Sequence, residues 1–295
     1  MLDLRKLWIA KSRRALMPDG SLHPSHVTLV PPLKWAGGKR WLVNRLADRL
    51  PSHNRLLEPF AGSAAMLFKL QPTSAVIADS NAELINVYRC IRDEPKLLYE
   101  KLSAHADQHS KEHYYKVRSD VTSDPTDSAA RLLYLNRTCW NALYRVNKKG
   151  EFNVPIGTKT NVLMDTDNFK SASTLLKRCL IEVQDFSDTI SLAGEGDIIF
   201  ADPPYFSNSV KGTFVKYNAA TFCWADQERL ASDLLEANKR GAHFVLTNTA
   251  APELSELYGV SGYLSTVSRQ TVISGSTKGR GEARELLWTS FPFEL

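Results

Sequence analysis

Four short strand-like runs in this chain each stop at a carboxylate. Leu56-Leu57 runs into Glu58, Ala75-Val76-Ile77-Ala78 into Asp79, Ile181-Glu182-Val183-Gln184 into Asp185, and Ile198-Ile199-Phe200-Ala201 into Asp202. Runs this brief, bounded by turn residues and rich in branched side chains, read as strands buried on both faces. Such strands belong to parallel sheets covered by helices, where ligands bind beyond the C-terminal strand ends. An acid at each of those ends therefore marks one edge of the sheet as a polar site. Strands are expected at 55–59, 75–79, 180–184, 197–201, 242–247, 262–270 and 285–291, with helical periods between the early ones. The predicted fold is α/β and Rossmann-like: a seven-stranded, mostly parallel sheet with helices on both faces.

The richest strand end is Asp202-Pro203-Pro204-Tyr205. Proline locks φ and has no N–H to donate. The Asp202 carboxylate and the Pro203 carbonyl are then free to act as acceptors, with Pro204 holding the turn and Tyr205 offering a flat face. That set suits an exocyclic amine on an aromatic ring. Upstream, Lys34-Trp35-Ala36-Gly37-Gly38-Lys39 precedes a helical stretch ended by Pro51. Paired glycines let a ligand approach the backbone, and Lys39 beside a helix N-terminus favours a ligand carboxylate. Glu58-Pro59-Phe60-Ala61-Gly62-Ser63-Ala64 is a small-residue turn between strand and helix, but not the G-x-G-x-x-G of dinucleotide sites. Asp79 at the next strand tip suits ribose hydroxyls. Asp185 and Phe186 suit an adenine ring.

Taken together, these residues resemble the Dam-type, α-group DNA adenine-N6 methyltransferases, from Pro31 to the C-terminus. The resemblance rests on K-W-A-G-G-K, E-P-F-A-G-S, the run Ala78 to Tyr88, the run Asn136 to Gly157, D-P-P-Y, and Val267 to Gly275, in the family's order. Amino methyltransferases acting on protein resemble the same fold but usually carry Asn first in the tetrapeptide; Asp202 favours a nucleobase. The resemblance implies S-adenosylmethionine as cofactor, held by Trp35, Ala36, Gly37, Lys39, Glu58, Pro59, Phe60, Gly62, Ser63, Ala64, Asp79, Asp185, Phe186 and Asp202. It implies catalysis by Asp202, Pro203, Pro204 and Tyr205 on a flipped adenine of double-stranded DNA, in a GATC-type site. DNA contacts are implied for Lys34, Arg137, Trp140, Asn141, Leu143, Arg145, Asn147, Lys148, Lys149 and Pro155, with Arg145 and Lys34 on guanine and Trp140 as a wedge. Two departures stand out. Thr158-Lys159 falls where many relatives carry a Tyr, and Ala64 replaces a frequent second Gly. Two other readings stay open at this point: a catalytically silent DNA-binding relative, and an amino methyltransferase acting on RNA or protein.

Composition bears on domains and partners. The 295 residues carry a net charge of +5. The basic residues are uneven: between Arg131 and Thr160, six Lys or Arg face only Glu151, with Tyr134, Trp140, Tyr144 and Phe152 interleaved. Basic residues with aromatics suit phosphates and bases. The expected organisation is an N-terminal extension at 1–30, a cofactor-binding catalytic domain at 31–86 and 179–295, and a mainly helical target-recognition domain at 87–178. Cys90, Cys139, Cys179 and Cys223 lack C-x-x-C spacing, which argues against zinc and for a reducing, cytoplasmic setting. No apolar run approaches a membrane span, no signal peptide is visible, and no obligate protein partner is evident.

Overall fold

The computed structural model describes residues 28–205, 222–259, 262–270 and 282–293. Most of the N-terminal extension, and residues 271–275 of the last motif, lie outside them. The expected strands all form: β1 (Arg55–Glu58), β2 (Ala75–Asp79), β3 (Cys179–Val183), β4 (Asp197–Ala201), β5 (His243–Thr249), β6 (Tyr263–Gln270) and β7 (Glu282–Thr289). They make one seven-stranded sheet in the order β3-β2-β1-β4-β5-β7-β6. The first five strands are parallel, and β7 runs antiparallel to both neighbours. Strand ends differ from the sequence reading where a partner extends the ladder. β7 starts at Glu282, for example, because Glu282 pairs with Gln270.

Alternation along the strands divides the core in two. Leu56, Ile77, Ile198, Phe200, Val245 and Leu287 face one side, and Leu57, Val76, Ile199, Leu246, Leu286 and Trp288 the other. Helices α1 (Arg40–Leu46), α2 (Ala65–Leu70) and α3 (Ala82–Asp93) cover the first face. After β2 and α3 come the helices of the insertion: α4 (Pro95–Asp107), α5 (Lys111–Ser119), α6 (Pro125–Thr138) and α7 (Phe169–Leu176). Then α8 (Phe186–Ser191), α9 (Trp224–Lys239) and α10 (Pro252–Gly259) cover the second face. Sheet order reverses between β1 and β4, and a crevice opens at such a switch point.

Local chemistry starts the helices of the insertion where they start. Ser110 accepts a bond from His113 N to cap α5, and Asp124 accepts one from Asp127 N ahead of Pro125 to cap α6. Helix α6 is buried on nearly every side, from Ala129 through Thr138. One apolar cluster runs from the sheet face through α3 into α4–α7, and α3 itself spans the boundary drawn at 86/87. Between α6 and α7 the chain doubles back as a strap, with Cys139 bridged to Ile156 and Val146 to Phe152.

Helix α6 also corrects part of the charge reading. Arg131 and Arg137 are 6% and 1% exposed, and Tyr134 and Phe152 are buried. The Arg137 guanidinium donates to both Asp167 carboxylate oxygens (2.6 and 2.8 Å), and to the Val162 and Pro32 carbonyls (2.8 and 2.9 Å). Expected on DNA, it instead ties three segments together from inside. Counting charges along a sequence cannot separate a solvated arginine from one inside a helix bundle. Removing one member of a buried ion pair leaves its partner uncompensated. Arg137→Ala is therefore expected to lower stability by about 3–5 kcal/mol in urea titration, with the slope unchanged.

Candidate active site

Asp202 follows the last residue of β4 directly. Lys39 Nζ lies 2.8 and 3.0 Å from its two oxygens, and Thr247 Oγ1 donates to Oδ1 at 2.6 Å. The Lys39 side chain is 1% exposed. Its ammonium also donates to the Gly37 carbonyl at 2.7 Å, sits 4.5 Å above the Tyr205 ring, and lies 3.8 Å from Glu285 on β7. The sequence reading aimed Lys39 at a ligand carboxylate; the structure engages it with Asp202. Pro203 is buried and Pro204 exposed, so the turn presents its acceptors without an N–H of its own.

The tetrapeptide opens onto a cleft of about 720 Å³, within the range of about 300–1,000 Å³ usual for small-molecule sites. Every expected cofactor residue lines it except Ala64, which is fully buried. A cleft of about 870 Å³ between Asn54 and Arg240 lies at the N-terminal ends of β1 and β4, the edge that parallel sheets do not use for ligands.

The loop after β1 is shaped by close contacts. Gly62 has φ +45, and a Cβ there would stand 3.0 Å from the Trp35 ring, so only glycine lets Trp35 lie against the loop. Trp35 in turn stacks on Tyr144 of the strap at 5.2 Å, joining the cofactor loop to the insertion. Ala64 occupies a left-handed conformation (φ 51), which costs about 1–2 kcal/mol for a residue with a Cβ. Asp79 accepts from Gly62 N at 3.1 Å and Asn81 N at 3.0 Å. Glu58 is buried; its two oxygens accept from Met66 N and Leu67 N, both at 3.2 Å. It thereby takes the first N–H groups of α2, whose N-cap Ala64 has no side-chain acceptor.

At the far end of the cleft, Phe60 stacks on Phe186 at 5.3 Å, and Phe222 meets both at 5.6 Å. Asp185 caps α8 through Ser187 N at 2.8 Å and pairs with Arg229, which lies 4.0 Å over the Phe186 ring. Burial raises the Asp185 carboxyl, but Arg229 and the Ser187 N–H outweigh it and hold it below the usual range. Sequence reading missed Thr247, Glu285, Phe222 and Arg229, and read Tyr144 only as an aromatic among the basic residues, whereas it lines the cleft against Trp35. Thr247 and Glu285 sat inside expected strands, but nothing in a single sequence shows which strand residues meet Asp202.

The expected DNA-side residues separate into two sets. At the surface of the strap are Trp140, 52% exposed, with Asn141, Lys148, Lys149 and Pro155. Trp140 N bonds the Pro155 carbonyl at 2.9 Å, and Asn141 has φ 54. Arg145 is half-buried and held by Asn153, Nε to Oδ1 at 2.7 Å and Nη2 to the carbonyl at 3.3 Å. Asn147 has an architectural part: its Oδ1 accepts from Lys149 N and Glu151 N and closes the turn that carries both lysines. Leu143 is half-buried against the core, and Arg137 is inside. Lys34 is fixed through its backbone, donating to Asn136 Oδ1 at 3.0 Å and accepting from Asn136 Nδ2 at 2.7 Å. Among the described residues, no three metal-ligating side chains cluster and no helix is long and apolar enough to cross a membrane.

Known proteins similar to this chain share most of its length. The family described as D12 class N6 adenine-specific DNA methyltransferase matches residues 35–272. The Type II methyltransferase M1.LlaDCHI of Lactococcus lactis subsp. cremoris is 34% identical over 280 residues, 92% of this chain and 98% of its own. The Type II methyltransferase M.MjaIII of Methanocaldococcus jannaschii is 36% identical over 74% of this chain and 84% of its own. The DNA adenine methylase of Serratia marcescens is 29% identical, covering 86% and 96%.

Glu58 generates a test of the loop. Burial lifts its carboxyl from 4.5 to about 8, against the pull of the Leu67 and Met66 N–H groups and with a small push from Asp202. The folded state therefore favours the protonated acid. That stabilisation is full below the unfolded value and is lost as pH rises through about 8. Glu58→Gln stays neutral throughout and is expected to flatten this slope. Thermal unfolding of the two proteins between about pH 5 and pH 9 should show wild type losing stability relative to the variant as pH rises.

Proposed function

This chain belongs to the D12 class of N6 adenine-specific DNA methyltransferases, and from that premise we propose that it moves the methyl of S-adenosylmethionine to N6 of an adenine swung out of duplex DNA, in a GATC-type site. The carrying observation is that Asp202-Pro203-Pro204-Tyr205 and the Trp35, Gly62, Asp79 and Phe186 rim open onto one cleft. The residues present fit that cofactor. Gly37, where a Cβ would meet nothing within 4 Å, leaves the cleft wall open to a ligand near the backbone, Asp79 suits ribose hydroxyls, and Phe60 and Phe186 offer ring faces for an adenine. When bound, S-adenosylmethionine supplies a methyl on a sulfonium, which departs as a neutral thioether.

Asp202 acts on the nucleophile. A carboxylate offers about four lone-pair sites. Three contacts from Lys39 and Thr247 occupy both of Oδ1 and one of Oδ2, leaving a site for an exocyclic N–H. The Pro203 carbonyl takes the second N–H. Two acceptors draw N6 toward tetrahedral geometry and localise its lone pair, and Asp202 stabilises the positive charge that grows there. Tyr205 gives the extruded base a stacking face worth about 1–3 kcal/mol, which offsets much of the unstacking, a cost of about a few kcal/mol. Lys39 and Thr247 hold Asp202 in place, which supplies orientation.

Asp202→Asn is the direct test. It keeps the shape while removing the charge, and single-turnover methyl transfer on duplex DNA should fall by about a hundredfold or more. Binding of the duplex should persist. A variant that keeps wild-type rate removes Asp202 from the chemistry.

Arg145 is proposed as a guanine reader. Asn153 holds two of its five donors, and the rest suit guanine O6 and N7. Arg145→Ala should relax discrimination at one guanine of GATC by about 1–3 kcal/mol, while Lys148→Ala and Lys149→Ala weaken all duplexes alike. Methylation rates on duplexes carrying each single substitution read this out. Equal slowing on every duplex would make Arg145 a phosphate contact instead.

A further inference from the structure

One arginine gathers the groups at the far end of the cleft. Arg229, on the second turn of α9, stands over the Phe186 ring at 4.0 Å. Its two terminal nitrogens reach the two Asp185 oxygens, at 2.5 and 3.1 Å. One of them also donates to Ser187 Oγ at 2.8 Å, and the other to Asp226 Oδ1 at 3.0 Å. Asp226 in turn accepts from Cys223 N at 2.8 Å, at the start of α9, and Ser187 Oγ donates to Asp233. The guanidinium thus joins the N-cap of α8 to the first turns of α9. Asp185, Phe186, Asp226 and Arg229 all line the cleft. A lone surface pair contributes little, but a two-pronged grip within a network is the exception. Three carboxylates share this network with one guanidinium, a balance that disfavours an anionic ligand and favours one that donates N–H bonds. Ser187 N and Arg229 occupy both lone-pair sites of Asp185 Oδ1 and one of Oδ2, which leaves one site on Oδ2.

We propose that Arg229 is a positioning residue for the cofactor: it holds Asp185 so that one carboxylate oxygen is left to accept from the exocyclic amine of the cofactor's adenine, and braces Phe186 beside it. The inference rests on the S-adenosylmethionine reading above and adds the residue that makes this end of the cleft prefer an amine. Arg229 touches no reacting atom. Without it, Asp185 keeps the Ser187 N–H alone, its carboxylate is free to turn, and the Phe186 ring loses the cation over its face. A planar guanidinium grips two oxygens at a fixed angle, which an ammonium on a flexible stem does not. A purine with oxygen in place of the amine would present an acceptor to an acceptor, and a held carboxylate rejects it.

The test compares two non-reacting probes by calorimetry: S-adenosylhomocysteine and its inosine counterpart, which differ at the purine 6-position. Wild type is expected to favour the adenine form by about a hundredfold or more. Arg229→Gln should bind S-adenosylhomocysteine about tenfold more weakly, with the inosine form little changed, so the preference shrinks by about the same factor. Arg229→Lys keeps the charge without the paired grip and should lose most of the preference too. Thermal melting checks folding, and if the Gln variant does not fold, the Lys variant carries the same comparison. Equal weakening of both probes would mean a merely structural role and would overturn the proposal, as would a full preference in either variant. Methyl transfer at saturating cofactor should stay near the wild-type rate in Arg229→Gln while KM for the cofactor rises. If wild type neither binds S-adenosylhomocysteine nor methylates DNA, the functional reading fails; if it does both and the preference ignores Arg229, only the positioning role fails.

Discussion

The Lys39–Asp202 pair is the joint on which the site depends. It links residues 163 apart in the chain. It also draws in Thr247 from β5 and Glu285 from β7, so four segments meet at one ammonium and one carboxylate. Burying such a pair is expensive unless the remaining donors and acceptors are satisfied. Here the ammonium also has the Gly37 carbonyl and the Tyr205 ring face. The pair fixes the Asp202 carboxylate, and the electrostatic role proposed for it depends on that kind of prior arrangement.

The other strand-end acids work in a related way. Glu58 takes the first N–H groups of α2, Asp79 clips the Gly62 loop to the start of α3, and Asp185 caps α8. Each carboxylate at the C-terminal edge thus fastens the element that follows or faces it. A parallel sheet gathers the ends of its strands and the starts of its helices on one side. The same acids that shape the crevice are therefore available to line it.

Trp35 joins this crevice to the helical insertion. It lies against Gly62 on one side and stacks on Tyr144 on the other, and Tyr144 OH donates to Glu83 at 2.7 Å. The strap that carries Trp140 and Arg145 is thereby seated on the loop that shapes the cleft. The proposed DNA reader and the proposed chemical site need a fixed offset, and packed aromatics with buried apolar neighbours hold one better than a free loop does.

Most of the fold was legible in the residues, because a period of two and a period near four report burial directly. The acids at Glu58, Asp79, Asp185 and Asp202 stood out for the same reason, each closing a strand-like run. The run from Arg131 to Thr160 was not legible in that way. Its charges divide between the inside of α6, where Arg131 and Arg137 satisfy carbonyls and carboxylates, and the surface of the strap, where Lys148, Lys149 and Lys159 face solvent. Nor could the sequence show that Lys39 meets Asp202. Hydrophobic periodicity is local, so the sequence by itself determined the elements and the edge where the site lies. Long-range partners follow from how the elements pack, so only the tertiary structure decided which charges pair, which are buried and which stay free to bind.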